Sequence, residues 1–230
     1  MQFHPLFLDA LIAPEFSALT ACEAPEIEAL PDYSTKFFLN NLFVALAPDD
    51  ARPVIIMFLR HLSLAFEHYR DGRLGLLECV RAEQHSAPAV SAYLRALSQF
   101  ENAVLRAHLA VACNHAVALV LDPANTSKTP YDSEGRTKEA RLRDLANRLK
   151  HFDEDVAKRS AGNRPVPVWI ANNGLRCRQV ERLVDLSFVE LTELLEELRQ
   201  NAHWLAETSY AEARERREAR RNNPEGSTEI

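Results

Sequence analysis

One helical segment, residues 144–155, carries the side chains that are best suited to chemistry in this sequence. His151 follows Asn147 and Arg148 by one turn, and residues three and four apart are neighbours on a helix surface. A histidine with such partners can hold a defined tautomer and charge near neutral pH. The same spacing also fits an ordinary exposed face, whose ion pairs contribute only about 0.3–0.5 kcal/mol each. The residue types alone leave both interpretations open.

The stretch Asn-Arg-Leu-Lys-His-Phe-Asp-Glu, residues 147–154, resembles the signature region of HEPN-type domains. These are small all-α domains, commonly dimeric, that occur in RNA-targeting toxins and defence systems. The active form of that family carries an arginine, then four to six residues, then a histidine, often with a polar residue directly after the arginine. In this sequence the corresponding positions hold Ala146, Leu145 and Asp144, so the expected arginine is absent. The resemblance covers residues 33–212 as a helical bundle.

This resemblance implies metal-free chemistry on RNA. A histidine with a pKa near neutrality handles the proton of the 2′-hydroxyl group, and the forked donors of an arginine stabilise charge on the phosphate. His151 would be the acid or base, Asn147 the polar residue after the expected arginine, and Arg148 or Arg143 the phosphate clamp. Because the motif arginine is missing, we expect a divergent or catalytically silent member.

The resemblance also implies particular partners. We expect a homodimer that sets the His151 face beside its symmetry mate, with RNA and a cognate antitoxin or other partner protein as ligands. No cofactor and no metal are expected. The alternative hypothesis is a non-enzymatic helical interaction protein, in which the same helix forms a dimerisation or scaffold surface.

Two further pairs of histidines are candidates for metal or haem ligands. His61 and His68 are seven residues apart, as are His108 and His115, so each pair can share a helix face. Two such helices could present four imidazoles inside a bundle. The sequence contains no Glu-x-x-His and no His-x-x-x-His motif, so we expect these histidines to be surface or core residues. The four cysteines are widely spaced, form no CxxC pair and are expected to be reduced thiols.

Composition favours a soluble helical protein. The chain has 230 residues, a net charge of −6 and only 6 glycines, well below the average usage of about 7%. No run approaches 18 uncharged apolar residues, and no lysine or arginine precedes Lys36. We therefore expect a cytoplasmic protein without a membrane span. Residues 1–50 contain eight acidic residues against one lysine, whereas residues 136–182 contain twelve basic and six acidic residues.

The apolar periodicity predicts an all-α fold, a helical bundle with a small β-hairpin insertion at about 166–181 before the last long helix. Residues 1–32 form an N-terminal arm packed on the core through Phe3, Leu6, Phe7 and Phe16, 33–212 form the bundle, and 213–230 form a charged, partly disordered tail. The predicted helices span 35–47, 53–72, 74–83, 88–121 and 137 to just before 162, with a loop at 123–136. The sequence Ser-Phe-Val-Glu at 187–190 predicts a capping box that opens the last helix.

Overall fold

Two long antiparallel helices form the centre of the computed structural model, which describes residues 2–44, 47–121, 129–131, 137–157, 166–179 and 182–207. These helices are α3 (Ala51–Arg81) and α4 (Ala87–Leu121). They approach closely because glycines of α3 face α4: a Cβ at Gly75 would lie 3.2 Å from the Cα atom of Ala96. The predicted break at Gly72 does not occur, since this glycine makes room for the ring of Phe100 within one continuous helix.

The helix that carries the HEPN-like stretch is interrupted at His151. Thr137 caps α5 (Lys138–Lys150) by accepting a hydrogen bond from the Ala140 amide. His151 leaves the helical conformation with φ −112° and ψ 12°, and α6 (Phe152–Ala157) follows as a separate short helix. The prediction of one unbroken helix from 137 was therefore wrong. The sequence gives no sign of the break because the apolar stripe continues on both sides of it.

A three-stranded antiparallel sheet precedes the last helix. Its strands are β1 (Val168–Ala171), β2 (Gly174–Gln179) and β3 (Arg182–Ser187), paired in the order β1-β2-β3. The predicted hairpin is confirmed as β1 and β2, and β3 is an additional strand. The predicted capping box is also present at the start of α7 (Phe188–Glu207): Ser187 Oγ accepts from the Glu190 amide at 3.2 Å, and the Glu190 carboxylate accepts from the Ser187 amide at 3.1 Å.

The N-terminal arm is an integral part of the core. It contains α1 (Pro5–Leu11) and a single 3-10 turn (Phe16–Ala18), and its buried side chains are Leu8, Ala13, Phe16, Leu19, Ala24 and Ile27. Leu6 and Phe7, which we expected to pack on the core, are exposed instead. Three glutamates of the arm pair with arginines of three different elements: Glu15 with Arg176, Glu26 with Arg73, and Glu28 with Arg199.

The remaining helix, α2 (Tyr33–Val44), packs against α7. The side-chain amide of Asn40 donates a hydrogen bond to the Ala206 carbonyl oxygen at 2.7 Å. Of the residues described, one helix, α4, is long and apolar enough to cross a membrane by length and composition alone. Most of the predicted loop at 123–136 and the whole tail at 213–230 lie outside the described residues.

Candidate functional site

The imidazole of His151 is exposed and lies among carboxylates. Its side chain is 61% accessible, and Nδ1 lies 3.1 Å from Oε1 of Glu154. Asp153 and Glu154 are both exposed on the short helix that follows. The two carboxylates place negative charge beside His151, while the exposed Lys150 directly before it places positive charge there.

The other residues of the predicted site are spread over different surroundings. Asn147 is exposed, and its backbone carbonyl accepts a hydrogen bond from the His151 amide at 3.1 Å. The guanidinium group of Arg148 lies over the ring of Phe152, 5.5 Å from its centroid. Arg143 faces a different group of residues, with its guanidinium carbon 5.3 Å from the ring centroid of Tyr131. Arg143 is therefore the member of the predicted set that the structure places beside another chemically useful cluster.

That cluster is centred on His108, at the seam between α4 and α5. The side chain of His108 is 9% exposed, and Nδ1 lies 2.9 Å from the hydroxyl oxygen of Tyr131. The two rings are stacked, with centroids 5.6 Å apart and planes inclined by 18°. The ring of Tyr131 also lies 5.3 Å from the Arg143 guanidinium carbon, so the phenol contacts both the imidazole and the guanidinium.

Burial and two nearby cations keep the His108 imidazole uncharged. Burial lowers the pKa of His108 to about 4, with further lowering by the positive charges of Lys150 and Arg143. Burial raises the pKa of Tyr131 to about 12, so its hydroxyl keeps its proton at neutral pH. We therefore assign the Tyr131 hydroxyl as the donor to Nδ1, which leaves the proton of the neutral ring on Nε2. Within the described part of the chain, Nε2 has no hydrogen-bond partner.

We call this group of His108, Tyr131, Arg143 and Lys150 the seam site. At neutral pH it combines a nearly buried imidazole N–H, the partly buried guanidinium group of Arg143 and the positive charge of the exposed Lys150. Asp144, which is also buried, lies beside Arg143 with a carboxylate oxygen 3.3 Å from the guanidinium nitrogen. A ring N–H donor under the influence of two positive charges is a donor set that suits an oxyanion.

Two more polar groups continue the same face of α4. Glu101 lies seven residues before His108 and His115 lies seven residues after it, so all three point in nearly the same direction. Burial raises the pKa of the Glu101 carboxyl to about 7. The Nε2 atom of His115 is buried without a hydrogen-bond partner among the described residues. Unpaired buried polar groups are uncommon in folded proteins and mark this seam as unusual.

Several basic residues of the 136–182 region are already occupied by structural contacts. Lys138 pairs with Glu197 at 2.6 Å, and Arg141 pairs with Glu190, which ties α5 to α7. Arg176 is held by Asp185 and by the arm. Lys150 has no ion-pair partner among the residues described, so its charge is available for a ligand.

The histidine pairs do not assemble around one point. His61 contacts Arg106 at 3.4 Å, His68 contacts Gln99 at 2.7 Å, and His108 contacts Tyr131. The described residues contain no group of three or more histidine, cysteine or acidic side chains that could hold a metal ion. All four cysteines are free thiols.

A separate cavity of about 150 Å³ lies between the arm and the loop that joins α3 to α4. Its walls include Phe16, Leu19, Cys79 and His85. Burial raises the pKa of the Cys79 thiol to about 11, so the thiolate needed for nucleophilic chemistry is scarce at neutral pH. This cavity therefore offers less chemistry than the seam site.

Sequence reasoning found Arg143 but missed the histidine that it accompanies. The available signal was the heptad spacing of His108 and His115, together with a long loop that contains Tyr131. Comparison with protein-family models, curated proteins and solved structures finds no match for this chain.

Proposed function

We propose that this protein is an RNA-associated helical module that holds phosphate at the seam site. The observation that carries the proposal is the nearly buried imidazole of His108, bonded to Tyr131, whose ring lies 5.3 Å from the Arg143 guanidinium carbon. The positive charge of Lys150 also acts on this imidazole. The resemblance of residues 147–154 to the HEPN signature supports RNA as the source of the phosphate. In this proposal the His151 face is not the reactive centre, since its imidazole is paired with Glu154.

The role proposed for the seam site is binding rather than cleavage. At a pKa of about 4, only about one His108 ring in a thousand carries a proton at pH 7, which makes it a poor general acid and a weak base. An uncharged imidazole N–H remains a good donor to a phosphate oxygen. The guanidinium of Arg143 and the ammonium of Lys150 supply the charge that attracts the backbone.

Binding of a 5′-fluorescein single-stranded RNA without divalent metal, followed by anisotropy over a salt series, tests this proposal. We expect Arg143→Gln and Lys150→Gln each to weaken binding about tenfold, which corresponds to about 1.4 kcal/mol. Each should also reduce the salt dependence by about 0.7 in the slope of log K against log salt. Arg95→Gln is a matched control, because Arg95 is exposed on α4 and paired with Glu78. Absence of binding, or equal binding by all four proteins, would overturn the proposal.

A second candidate function is self-association, with a homodimer or another partner protein as the product. The specific observation is the outer face of α2, where Phe38, Leu39 and Leu42 are 55%, 45% and 62% exposed. Trp204, on the helix that packs against α2, is 57% exposed. Neighbouring exposed apolar side chains of this size are typical of interaction surfaces. RNA binding and self-association through α2 are compatible, since the residues involved lie on different helices.

A further inference from the structure

We infer that the cavity between the N-terminal arm and the α3–α4 loop binds a small uncharged molecule, one aromatic ring in size, with a hydrogen-bond donor such as a hydroxyl group at one end. The cavity shares no lining residue with the seam site. Its ligand is therefore a separate matter from the proposed binding of RNA.

The volume of the cavity matches a single ring. Folded proteins contain few internal spaces larger than a water molecule. The cavity here has a volume of about 150 Å³, and an apolar cavity of that size accommodates one benzene molecule. A ligand with two fused rings would need the walls to move apart.

The most buried side chains that line the cavity are apolar. Phe16, Leu19, Cys79 and Ala89 are all between 3% and 8% exposed. Such side chains offer almost no hydrogen bonds, whereas a buried water needs about two to four polar partners. Water in this part of the cavity is therefore held weakly, and its displacement by an apolar ring is favourable.

The more exposed side chains of the cavity are polar, and they include Thr20, Gln84 and His85. Nε2 of Gln84 donates to the Ser17 carbonyl oxygen at 3.3 Å, and Nε2 of His85 lies 3.4 Å from the same oxygen. Because a carbonyl oxygen only accepts, both nitrogens carry hydrogen, which leaves Oε1 of Gln84 and Nδ1 of His85 as acceptors. Neither acceptor has a hydrogen-bond partner among the described residues. A ligand with an O–H or N–H group suits these acceptors.

The lining of the cavity favours an uncharged ligand. Among the described residues that line it, none is aspartate, glutamate, lysine or arginine. A charged ligand would lose hydration here without gaining an ion pair, which costs free energy.

The two walls of the cavity are held together by contacts between the arm and the α3–α4 loop. The Phe3 amide donates to the His85 carbonyl oxygen at 2.9 Å, in addition to the contacts of Gln84 and His85 with Ser17. His85 has φ 60°, a left-handed conformation that is uncommon outside glycine and recurs at ligand sites. A ligand that contacts both walls binds only when the arm is docked, so it stabilises the folded chain by mass action.

Four aromatic compounds test the ligand chemistry by isothermal titration calorimetry with the full chain at pH 7. We expect phenol to bind with a dissociation constant of about 1 mM or tighter, since very small ligands reach high binding free energies per atom. Anisole, with the same ring but no donor, should bind about three- to tenfold more weakly. Benzoate, which is charged, and 2-naphthol, which has two rings, should each bind at least about tenfold more weakly. No binding of phenol, or equally tight binding of any of the other three, would overturn the inference.

A cavity-filling variant places the ligand in the structure. Ala89→Leu adds carbons inside the cavity, so phenol affinity should fall at least about tenfold while the melting temperature stays the same or rises. Ala87→Leu is the matched control, because Ala87 is exposed two residues earlier in α4 and does not line the cavity. Phenol binding that survives Ala89→Leu, or that is lost equally in Ala87→Leu, contradicts the assignment.

Thiol modification gives an independent location in the wild-type chain. Cys79 lines the cavity, whereas Cys113 is half-buried in the second half of α4. At a phenol concentration ten times the dissociation constant, about one site in eleven is empty, so methyl methanethiosulfonate should modify Cys79 about tenfold more slowly. The rate at Cys113, followed in the same sample by peptide mass spectrometry, should not change. An unchanged rate at Cys79, equal protection of both cysteines, or a Cys79 that does not react even without phenol would overturn the inference.

Discussion

Glu101 and His108 lie two turns apart on one face of α4, and their pKa values are shifted in opposite directions. Burial disfavours the charged form of each group, so the carboxyl pKa rises to about 7 and the imidazole pKa falls to about 4. Between these values both side chains are predominantly neutral. The free-energy cost of burying these two groups is therefore lowest in mildly acidic solution, where neither has to be charged within the protein.

The first prediction concerns the pH dependence of stability through Glu101. Its folded-state pKa is above the unfolded value, so its cost to stability is absent below about pH 4.5 and complete above about pH 7. Glu101→Gln should raise the free energy of unfolding by about 1–3 kcal/mol at pH 8 and leave it nearly unchanged at pH 4.5. Urea denaturation followed by circular dichroism at both pH values measures this. Glu78→Gln is the control, because Glu78 is exposed and pairs with Arg95; an equal gain at both pH values for Glu101→Gln would contradict the prediction.

The second prediction concerns His151. Its side chain is 61% exposed and bonded to one exposed carboxylate, Glu154, so truncation removes little packing. We expect His151→Ala to change the free energy of unfolding by less than about 0.5 kcal/mol and RNA affinity by less than twofold. Denaturation and anisotropy with the same labelled RNA measure both. A tenfold loss of RNA affinity in this variant would instead place the RNA-binding site at the α5–α6 junction.

The third prediction concerns Gly174, the residue that begins β2. A Cβ atom at this position would lie 2.4 Å from the Leu186 carbonyl oxygen and 2.8 Å from the Ser187 Cα atom. Both neighbours are backbone atoms of β3, so they cannot move without disturbing the sheet. We expect Gly174→Ala to lower the free energy of unfolding by about 1–3 kcal/mol in thermal or chemical denaturation. Asn173→Ala, at the preceding exposed position, should cost far less; similar losses in the two variants would show that the turn, not the contact with β3, sets the requirement.

The fourth prediction concerns the exposed face of α2. If the protein self-associates through this face, Leu42→Glu should shift it to monomer with little change in melting temperature, because Leu42 is 62% exposed. Light scattering coupled to size-exclusion chromatography, over a range of protein concentrations, measures the change. Leu74→Glu, which alters a side chain that is 56% exposed on α3, should leave the oligomeric state as it is. A wild-type protein that stays monomeric at all concentrations would remove the homodimer from consideration.

Local patterns were sufficient to predict much of the fold. Ser187 and Glu190 form their capping box within one turn, and β1 and β2 adjoin the Asn-Gly turn that the sequence suggested. The break at His151 had no such signal, since the apolar positions on either side keep a helical repeat. The strand β3 was missed because Val184 and Leu186 acquire an inward face only when β2 pairs with them.

The seam site could not be derived from spacing along the chain. His108, Tyr131 and Arg143 come from three segments, and only the packing of α5 on α4 brings them together. The sequence motif drew attention to His151 because its neighbours are adjacent in sequence. The property that distinguishes His108, burial next to two cations, belongs to the tertiary structure.

The attachment of the arm has a consequence for how the chain is made. Asn172 accepts hydrogen bonds from the Thr20 and Ala21 amides, and Glu28 pairs with Arg199 on the last helix. The arm therefore reaches its native position only after residues as far as Arg199 have been synthesised. Contacts between such distant residues slow folding, and until they form, Phe16 and Leu19 stay exposed to other chains. The arm should thus be a late element to dock, after α7 has been synthesised.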